Sequence, residues 1–204
     1  DLLLVWSMNF PDKKYQIILA DPAWSYNDKG CNGNANDHYE TMTLEDICNL
    51  PVQQIADENC VLFLWATYPM LKEAFTVIDG WGFTYKSIAF QWIKMNKIKP
   101  TYFYGLGRWT RGNTEPCLLA VKGKPHRIDK GVFQIVQAPV STHSKKPAIV
   151  RDKITQLMGD LPRIELFARQ KIPNWDAWGD DPNLQVKPLE AFSHQLINKE
   201  LLLD

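Results

Sequence analysis

Cysteine and histidine are scarce in this sequence, and none of them has the spacing of a metal-binding finger. The four cysteines lie at positions 31, 48, 60 and 117, and no two of them form a Cys-x-x-Cys pair. A zinc site assembled in space from Cys31, His38 and Cys48 is one interpretation, although structural zinc sites usually show paired ligands. Reduced, partly buried thiols are the favoured interpretation, so we expect no metal ion.

Long apolar runs are also missing, which argues against a membrane-spanning segment. No stretch approaches the roughly 20 apolar residues that a transmembrane helix needs. The apolar patch at 2–6 has neither a basic flank nor a cleavage pattern, so we do not interpret it as a signal peptide. We therefore expect an intracellular, cytoplasmic protein that makes no contact with a membrane. The 204 residues fit a single domain, with a core at about 15–180 and a C-terminal extension at 181–204.

The sequence has no net charge, but its charges are unevenly distributed. The segment 86–171 contains seventeen Lys and Arg against five Asp and Glu, a surplus of twelve positive charges. The rest of the chain carries the opposite surplus. A basic segment of this size can form a phosphate-binding face on a neutral protein. The alternative is a set of solvated lysines that never come together.

Apolar stretches typical of buried strands alternate with helical segments along the chain. The predicted strands are 15–20, 60–66, 83–92, 115–121, 132–138 and 163–168. The predicted helices start at Thr43, which is a good N-cap residue, and span about 69–79 and 147–158. This alternation predicts an α/β protein with a mostly parallel sheet and helices on both faces. Ligands of such sheets bind at the carboxyl ends of the strands, where Asp21 and Arg169 stand.

The strongest local signal is Asp-Pro-Ala-Trp at 21–24, which follows the first predicted strand directly. Asp21 supplies a carboxylate acceptor, Pro22 fixes the backbone, and Trp24 offers a flat aromatic surface. An amine on a planar heterocycle needs acceptors for its N–H groups and a stacking partner for its ring. The alternative is an ordinary turn in which Trp24 packs into the core.

Further elements follow in a fixed order: Tyr-Glu-Thr-Met at 39–42, Ser-Lys-Lys-Pro at 144–147, Glu-Leu-Phe-Ala-Arg at 165–169 and Trp-Gly at 178–179. Together with 21–24, they resemble the mRNA adenine-N(6) methyltransferase family and its bacterial and phage DNA adenine methyltransferase relatives. The similarity runs from about residue 15 to 180, which is most of the chain.

This resemblance implies a class I, Rossmann-like methyltransferase fold in which the catalytic element precedes the cofactor element. Asp21 and the Pro22 carbonyl would accept hydrogen bonds from the target amine, and Trp24 would stack beside the adenine. S-adenosyl-L-methionine would be the cofactor, with Lys146 at its carboxylate and Arg169 at its ribose. The further cofactor-binding candidates that the resemblance implies are Asp21 itself, Glu165, Phe167 and Asp180.

The sequence departs from the family pattern at three places. Ala23 replaces the second proline of the usual Asp-Pro-Pro-Trp motif, Gln170 and Lys171 stand where the mRNA enzymes have His-Asn, and Asp180 stands where Asn is common. Ala23 is the reason to consider a second hypothesis, a catalytically inactive, nucleic-acid-binding subunit of the same fold. A methyltransferase acting on the amine of a small molecule or a protein is the third.

The segment 94–111 is the best candidate for contact with nucleic acid, because it interleaves cations with aromatic residues. Cations suit phosphates and aromatic rings suit unstacked bases, whereas the alternative is a loop whose aromatics pack on the sheet. The full set of substrate-binding candidates is Tyr26, Tyr39, Lys97, Lys99, Arg108, Trp109, Arg111, Ser144 and Lys145. We expect DNA rather than RNA as the partner, because the compact form is similar to the bacterial and phage members. The sequence leaves a homodimer open.

Overall fold

A seven-stranded sheet organises the residues described by the computed structural model, namely 10–24, 42–105, 107, 109–141 and 145–179. The strand order is β5-β3-β4-β2-β1-β6-β7. Every described strand pairing is parallel except the two made by β4, which runs antiparallel to both β2 and β3. The prediction of a mostly parallel sheet is therefore confirmed.

The strands are β1 Tyr15–Ala20, β2 Ala56–Trp65, β3 Thr84–Met95, β4 Thr114–Lys122, β5 Ile135–Pro139, β6 Arg163–Leu166 and β7 Asp176–Trp178. The described helices are α1 Leu44–Asn49, α2 Val52–Ile55, α3 Leu71–Gly80 and α4 Ile149–Met158, with a 3-10 helix at Tyr68–Met70. None of the helices in these ranges is long and apolar enough to cross a bilayer.

Helices cover both faces of the sheet, as the apolar strands require. Alternate residues of β1 point to opposite faces, so Ile18 belongs to one core cluster and Leu19 to the other. The first cluster takes its helical residues from α1, α2 and α3, and it includes Trp81, whose indole N–H donates to the Ile47 carbonyl at 2.8 Å. The second cluster takes Val150, Ile154 and Met158 from α4.

Local signals explain where several elements start and end. The Thr43 hydroxyl accepts a hydrogen bond from the Asp46 N–H, so it caps α1 as the sequence predicts. Gly159 ends α4 with φ 90°, a conformation that side chains disfavour. Phe167, directly after β6, has φ 59°, a left-handed conformation that is uncommon for a bulky residue.

The predicted elements are found, with shifted bounds and two omissions. Strand β2 begins four residues earlier than the predicted position 60, and β6 stops at Leu166 rather than at 168. The short helix α2 and the short edge strand β7 are absent from the prediction. The predicted loop at 25–40 lies outside the described residues.

The lower edge of the sheet, where β1, β6 and β7 begin, is tied together by Asp176. Its carboxylate accepts from the Tyr15 hydroxyl at 2.8 Å and from Lys13 at 2.7 Å. Burial alone would raise the pKa of Asp176, but these two donors lower it overall. We expect Asp176→Asn to lower the free energy of unfolding by about 1–2 kcal/mol at neutral pH, since a hydrogen bond to a charged group is lost.

The pH dependence of this loss follows from the lowered pKa of Asp176. The stabilisation is fully present above the unfolded-state pKa and disappears as the pH falls through the folded-state value. Urea unfolding at pH 7 and pH 3 should therefore show a difference between wild type and variant that shrinks in acid. Asp12→Asn, at an exposed carboxylate close to the start of β1, is the control. A difference that does not change with pH would contradict this account.

Candidate active site

The charged residues of interest meet at the upper edge of the sheet, where the parallel strands end. Asp21 follows β1 directly, and Lys94 lies near the end of β3. Because β4 is antiparallel, its first residues lie at this same edge, and Glu115 is one of them. Lys146 reaches the edge from the segment that precedes α4.

Asp21 and Lys146 form a direct ion pair although they are far apart in sequence. The Lys146 Nζ lies 2.9 Å from each carboxylate oxygen of Asp21. Both side chains are largely removed from solvent, with 13% of Lys146 and 22% of Asp21 exposed. The structure thus joins the predicted catalytic acid to the predicted carboxylate-binding lysine.

Glu115 extends this pair into a chain of four alternating charges. Its carboxylate lies 3.0 Å from the Lys146 Nζ and 2.8 Å from the Lys94 Nζ. Only 7% of the Glu115 side chain is exposed. A buried carboxylate is costly unless it is paired, and the two ammonium groups offset the cost of burying Glu115. We call Lys94, Glu115, Lys146 and Asp21 the charge chain.

The pKa directions follow from burial and from the alternation of charge. Burial raises the pKa of Asp21, and Glu115 adds to this, while Lys146 and Arg169 oppose it without cancelling it. Burial also acts to raise the pKa of Glu115, but Lys146 and Lys94 lower it overall. Burial acts to lower the pKa of Lys146, but its two carboxylate partners raise it, which keeps the ammonium charged.

The rings of Trp92 and Trp65 pack against the two lysines of the charge chain. The Lys94 Nζ lies 5.0 Å from the centre of the Trp92 ring, and the Lys146 Nζ lies 5.7 Å from that of Trp65. The two indoles meet edge to face with their centres 6.4 Å apart. The Cys117 thiol is buried on the same strand as Glu115, and burial raises its pKa well above the usual range. These groups keep water away from one side of the ion pairs and strengthen them.

The end of β6 brings Arg169 to the same edge as Asp21. Strands β1 and β6 are parallel neighbours, with Ala20 opposite Leu166, so the residues that follow them emerge side by side. Arg169 is exposed, and its charge acts to lower the pKa of Asp21. Asp21 and Arg169 thus stand at the same carboxyl edge of the sheet, where the sequence predicts a ligand, and their roles toward that ligand stay predictions.

Two further cofactor candidates, Glu165 within β6 and Phe167 directly after it, have partners within the protein. Both oxygens of Glu165 accept from Arg151 of α4, at 2.7 and 2.9 Å. Phe167 is half-buried and packs edge to face on Trp178, with ring centres 5.6 Å apart. A Cβ added at Gly179 would collide with the carbonyl oxygen of Ala168, so the two chain segments touch through backbone. The cofactor roles of Glu165 and Phe167 stay predictions.

Trp24 differs from the expected open stacking surface, because the structure buries it. The indole is 5% exposed and belongs to the core cluster on the α1 face. The reason is a short parallel bridge to Met42, in which the Met42 N–H donates to the Ala23 carbonyl at 3.2 Å. In this conformation the Trp24 ring has no open face for a base. This is the alternative given in the sequence analysis, in which Trp24 packs into the core.

The carbonyl of Pro22, expected to accept from the target amine, already accepts from the Trp24 N–H at 2.9 Å. A carbonyl oxygen has a second lone pair, so this bond leaves room for one more donor. The catalytic roles of Pro22 and Trp24 stay predictions.

The described part of the connection between β3 and β4, namely 96–105, 107 and 109–113, forms a hairpin at the same edge, which we call the 96–113 hairpin. A bridge pairs Met95 with Tyr102, and the Asn96 side-chain amide donates to Thr101 and to the Tyr102 carbonyl. Arg111 lies 4.5 Å from the centre of the Tyr104 ring. Lys97, Lys99 and Arg111 are exposed, as are Tyr102, Tyr104 and Trp109.

Exposure of these aromatic rings contradicts the alternative in which they pack on the sheet. Tyr102 is 60% exposed, Tyr104 is 65% exposed and Trp109 is fully exposed. Lys145 is also exposed, next to Lys146 in the chain. The other predicted site residues, Tyr26, Tyr39, Arg108, Ser144 and Asp180, lie outside the described residues.

The cysteines of the described ranges are free thiols at 48, 60 and 117. Within the part of the chain that the structure describes, no three potential metal ligands come together. Cys31 and His38, two of the three residues in the zinc interpretation, lie outside it.

Sequence reasoning assigned no role to Glu115, and it placed Lys94 only in the segment 94–111 expected to contact nucleic acid, whereas the structure pairs Lys94 with Glu115. The signal for Glu115 is present in the sequence: a single acid opens a strand whose next residues are Pro, Cys, Leu, Leu, Ala and Val. A charge at the start of a buried strand needs a partner, and it marks the edge where that partner will lie.

Comparison with known proteins points to one family. The sequence model of the MT-A70 family matches residues 15–181. The type II methyltransferase M.MunI of a Mycoplasma species is 36% identical over 189 residues, which cover 83% of this chain and 78% of that protein. The human N(6)-adenosine-methyltransferase catalytic subunit METTL3 is 26% identical over 198 residues, which cover 91% of this chain but only 33% of that protein. The N6-adenosine-methyltransferase non-catalytic subunit MTB of Arabidopsis thaliana is 32% identical over 132 residues, or 63% of this chain and 16% of that protein.

Proposed function

We propose, from the premise that this chain belongs to the MT-A70 family, that it methylates the exocyclic amine of adenine in nucleic acid. The predicted family is confirmed, and so is the class I methyltransferase fold, given the family match and the α/β sheet. Two findings support the proposed activity: the charge chain at the carboxyl edge of the sheet, and the methyltransferase activities named for the relatives.

One observation supports the proposal above all others: the ion pair of Asp21 with Lys146, beside Arg169, at the carboxyl edge of the sheet. S-adenosyl-L-methionine carries a carboxylate, an ammonium group and a ribose. The charge types present fit it, because the charged Lys146 suits the carboxylate, Asp21 suits the ammonium group, and Arg169 suits the ribose. This cofactor would supply an electrophilic methyl group.

The protein's own groups then have to hold and orient the amine. Asp21, with a raised pKa, is a strong hydrogen-bond acceptor for one N–H, and the second lone pair of the Pro22 carbonyl can accept the other. These two bonds favour a pyramidal nitrogen with its lone pair directed at the methyl group. Asp21 need not remove a proton beforehand, since the methylated amine is acidic and loses its proton afterwards. A base in duplex DNA would first have to leave the stack.

DNA is the favoured substrate because this chain is more similar to the type II methyltransferase, at 36% identity, than to the human N(6)-adenosine-methyltransferase subunit, at 26%. The chain covers most of a type II methyltransferase but only about a third of the human N(6)-adenosine-methyltransferase subunit. The 96–113 hairpin, with its exposed cations and aromatic rings, would supply the contact with the nucleic acid.

Product analysis tests the proposal directly. The protein is incubated with S-adenosyl-L-methionine labelled in its methyl group and with DNA or RNA oligonucleotides, and the digested nucleosides are separated. We expect label in N(6)-methyl-2′-deoxyadenosine. Label in N(6)-methyladenosine from RNA alone would overturn the preference for DNA. Label only in a small molecule or in protein would overturn the nucleic-acid substrate.

A non-catalytic subunit is the second candidate, favoured by Ala23 and by the burial of Trp24. One relative is itself named as a non-catalytic subunit. Calorimetry with S-adenosyl-L-methionine distinguishes the two, because a subunit without the chemistry has no need to bind it. Binding with the expected one-to-one ratio would favour the enzyme.

The 96–113 hairpin should make the protein's affinity for nucleic acid depend on salt. We expect the double variant Lys97→Glu/Lys99→Glu to bind an oligonucleotide roughly 10-fold more weakly. If both lysines contact phosphates, the slope of log K against log salt should fall by about 1.8, because each contact contributes about 0.9. Fluorescence anisotropy over a salt series measures both quantities.

Lys124→Glu/Lys130→Glu is the matched control for this prediction. Both lysines are exposed and belong to the same basic segment, but they lie at the lower edge of the sheet, beyond the end of β4 and near the end of α4. An equal loss in both double variants would show that the binding follows the overall charge and not the hairpin.

A further inference from the structure

The burial of Glu115 between two lysines calls for an explanation that the proposed chemistry does not give. Asp21 already neutralises Lys146, so the second carboxylate is not needed to balance that charge. Keeping it costs the burial of Glu115 and the recruitment of Lys94 as its counter-ion. A buried, fully paired ionic network of this kind holds its members in a defined geometry.

We infer that Glu115 is a positioning residue, which holds the Lys146 ammonium at the mouth of the site so that it meets the carboxylate of the methionine part of the cofactor. The inference rests on the proposed function. With two carboxylates on one ammonium group, the side chain of Lys146 is fixed from two sides rather than free to rotate about a single partner. When Asp21 turns to the cofactor or the amine, Glu115 still holds the Lys146 ammonium in place.

Lys94 has the complementary part in this arrangement. Its backbone lies at the base of the 96–113 hairpin, where its N–H donates to the Asn113 carbonyl and its carbonyl accepts from the Phe103 N–H, both at 2.8 Å. Its ammonium group, held over Trp92, helps to keep the pKa of Glu115 low and its carboxylate charged. Glu115 therefore stays ionised where burial alone would favour its protonated form.

The test compares two ligands that differ in the part of the cofactor that Lys146 would meet. S-adenosyl-L-methionine has the carboxylate, whereas 5′-methylthioadenosine keeps the adenosine and lacks the amino-acid group. We expect Glu115→Gln to bind S-adenosyl-L-methionine about tenfold more weakly, while its affinity for 5′-methylthioadenosine changes less than about twofold. Isothermal titration calorimetry measures both dissociation constants on the full chain, and thermal unfolding checks that each variant is folded.

Two further variants guard against a loss that is merely structural. Glu115→Asp keeps the charge and should recover part of the affinity for S-adenosyl-L-methionine. Asp176→Asn removes an ion-paired carboxylate at the opposite edge of the sheet and should leave both affinities unchanged. A parallel loss for both ligands in Glu115→Gln would show a structural role, and no loss for either would show no role; each result overturns the inference. If the wild-type protein binds 5′-methylthioadenosine but not S-adenosyl-L-methionine, both the inference and the proposed function are wrong.

Discussion

Replacing Asp21 by asparagine should reduce the rate of methyl transfer by about 100-fold or more, as expected when one preorganised acceptor is lost from a reaction site. Asparagine has nearly the shape of aspartate, but it carries no charge and one of its two acceptors becomes a donor. The amine N–H would then lose the acceptor that orients its lone pair. Lys146 keeps Glu115 as a partner, so the affinity for the cofactor should fall far less than the rate.

Single-turnover kinetics with saturating S-adenosyl-L-methionine measures this rate, and calorimetry gives the affinity separately. Asp12→Asn makes the same chemical change at an exposed carboxylate and should transfer methyl groups at the wild-type rate. If Asp21→Asn reacts as fast as the wild type with the cofactor bound normally, the proposed role of Asp21 is wrong.

Lys146→Met should have the second large effect, on both stability and cofactor binding. Removing the ammonium group leaves Asp21 and Glu115 buried at one edge without the cation that they share. The loss of one partner of a buried ionic network costs about 3–5 kcal/mol of unfolding free energy. The affinity for S-adenosyl-L-methionine should fall by about 100-fold, since its carboxylate loses the ammonium group that the proposed function assigns to it.

Acid should relieve part of this destabilisation. Burial raises the pKa of Asp21 even when Lys146 is present, and without Lys146 it should rise further, while the pKa of Glu115 should rise from its lowered value. For an acid whose folded-state pKa is raised, the penalty is present at high pH and disappears as the pH falls through that value. Urea unfolding at roughly pH 7.5 and roughly pH 5 measures this effect. The difference in unfolding free energy between wild type and Lys146→Met should be smaller at the lower pH. Lys146→Arg retains the charge and should be the more stable variant. Equal stability of Lys146→Met and wild type at both values would contradict this view of the charge chain.

The elements that sequence reasoning predicted correctly are those with strong local signals. Strand β1 has its predicted bounds because an apolar run ends at an Asp-Pro step, and α1 begins after Thr43 because a hydroxyl can cap it. The short strand β7 was missed because Asp176, Ala177 and Trp178 are too few to show a period. Only the pairing of β7 with β6 makes it a strand.

The sequence predicted some of the residues that meet at the site but not the ion pairs that Glu115 and Lys94 make there. Asp21 and Lys146 carry motifs, and the parallel order of β1 and β6 brings Arg169 beside the acid. Glu115 and Lys94 carry no motif, and their contacts depend on β4 running antiparallel to β3, which an alternating pattern of strands and helices does not reveal. The 18 residues that join β3 to β4 include no described helix, and this is the feature that indicates a hairpin.

The burial of Trp24 could not be predicted for a similar reason. Its neighbours in sequence are compatible with either an exposed or a buried indole. The buried position depends on a bridge to Met42, which lies 18 positions further along the chain. Tertiary contact of this kind overrides what four residues suggest on their own.

The reversed direction of β4 has a consequence for how such proteins can diversify. A chain that returns along an antiparallel neighbour leaves and re-enters the sheet on one side, and here that side is the one where the methyl group would be delivered. A crossover helix would instead have carried the chain to the far end. The tip of the connection can therefore be lengthened, shortened or replaced without the loss of any strand pairing. If the 96–113 hairpin contacts the nucleic acid as proposed, exchange of this single segment would change the preferred target sequence and leave the charge chain beneath it intact.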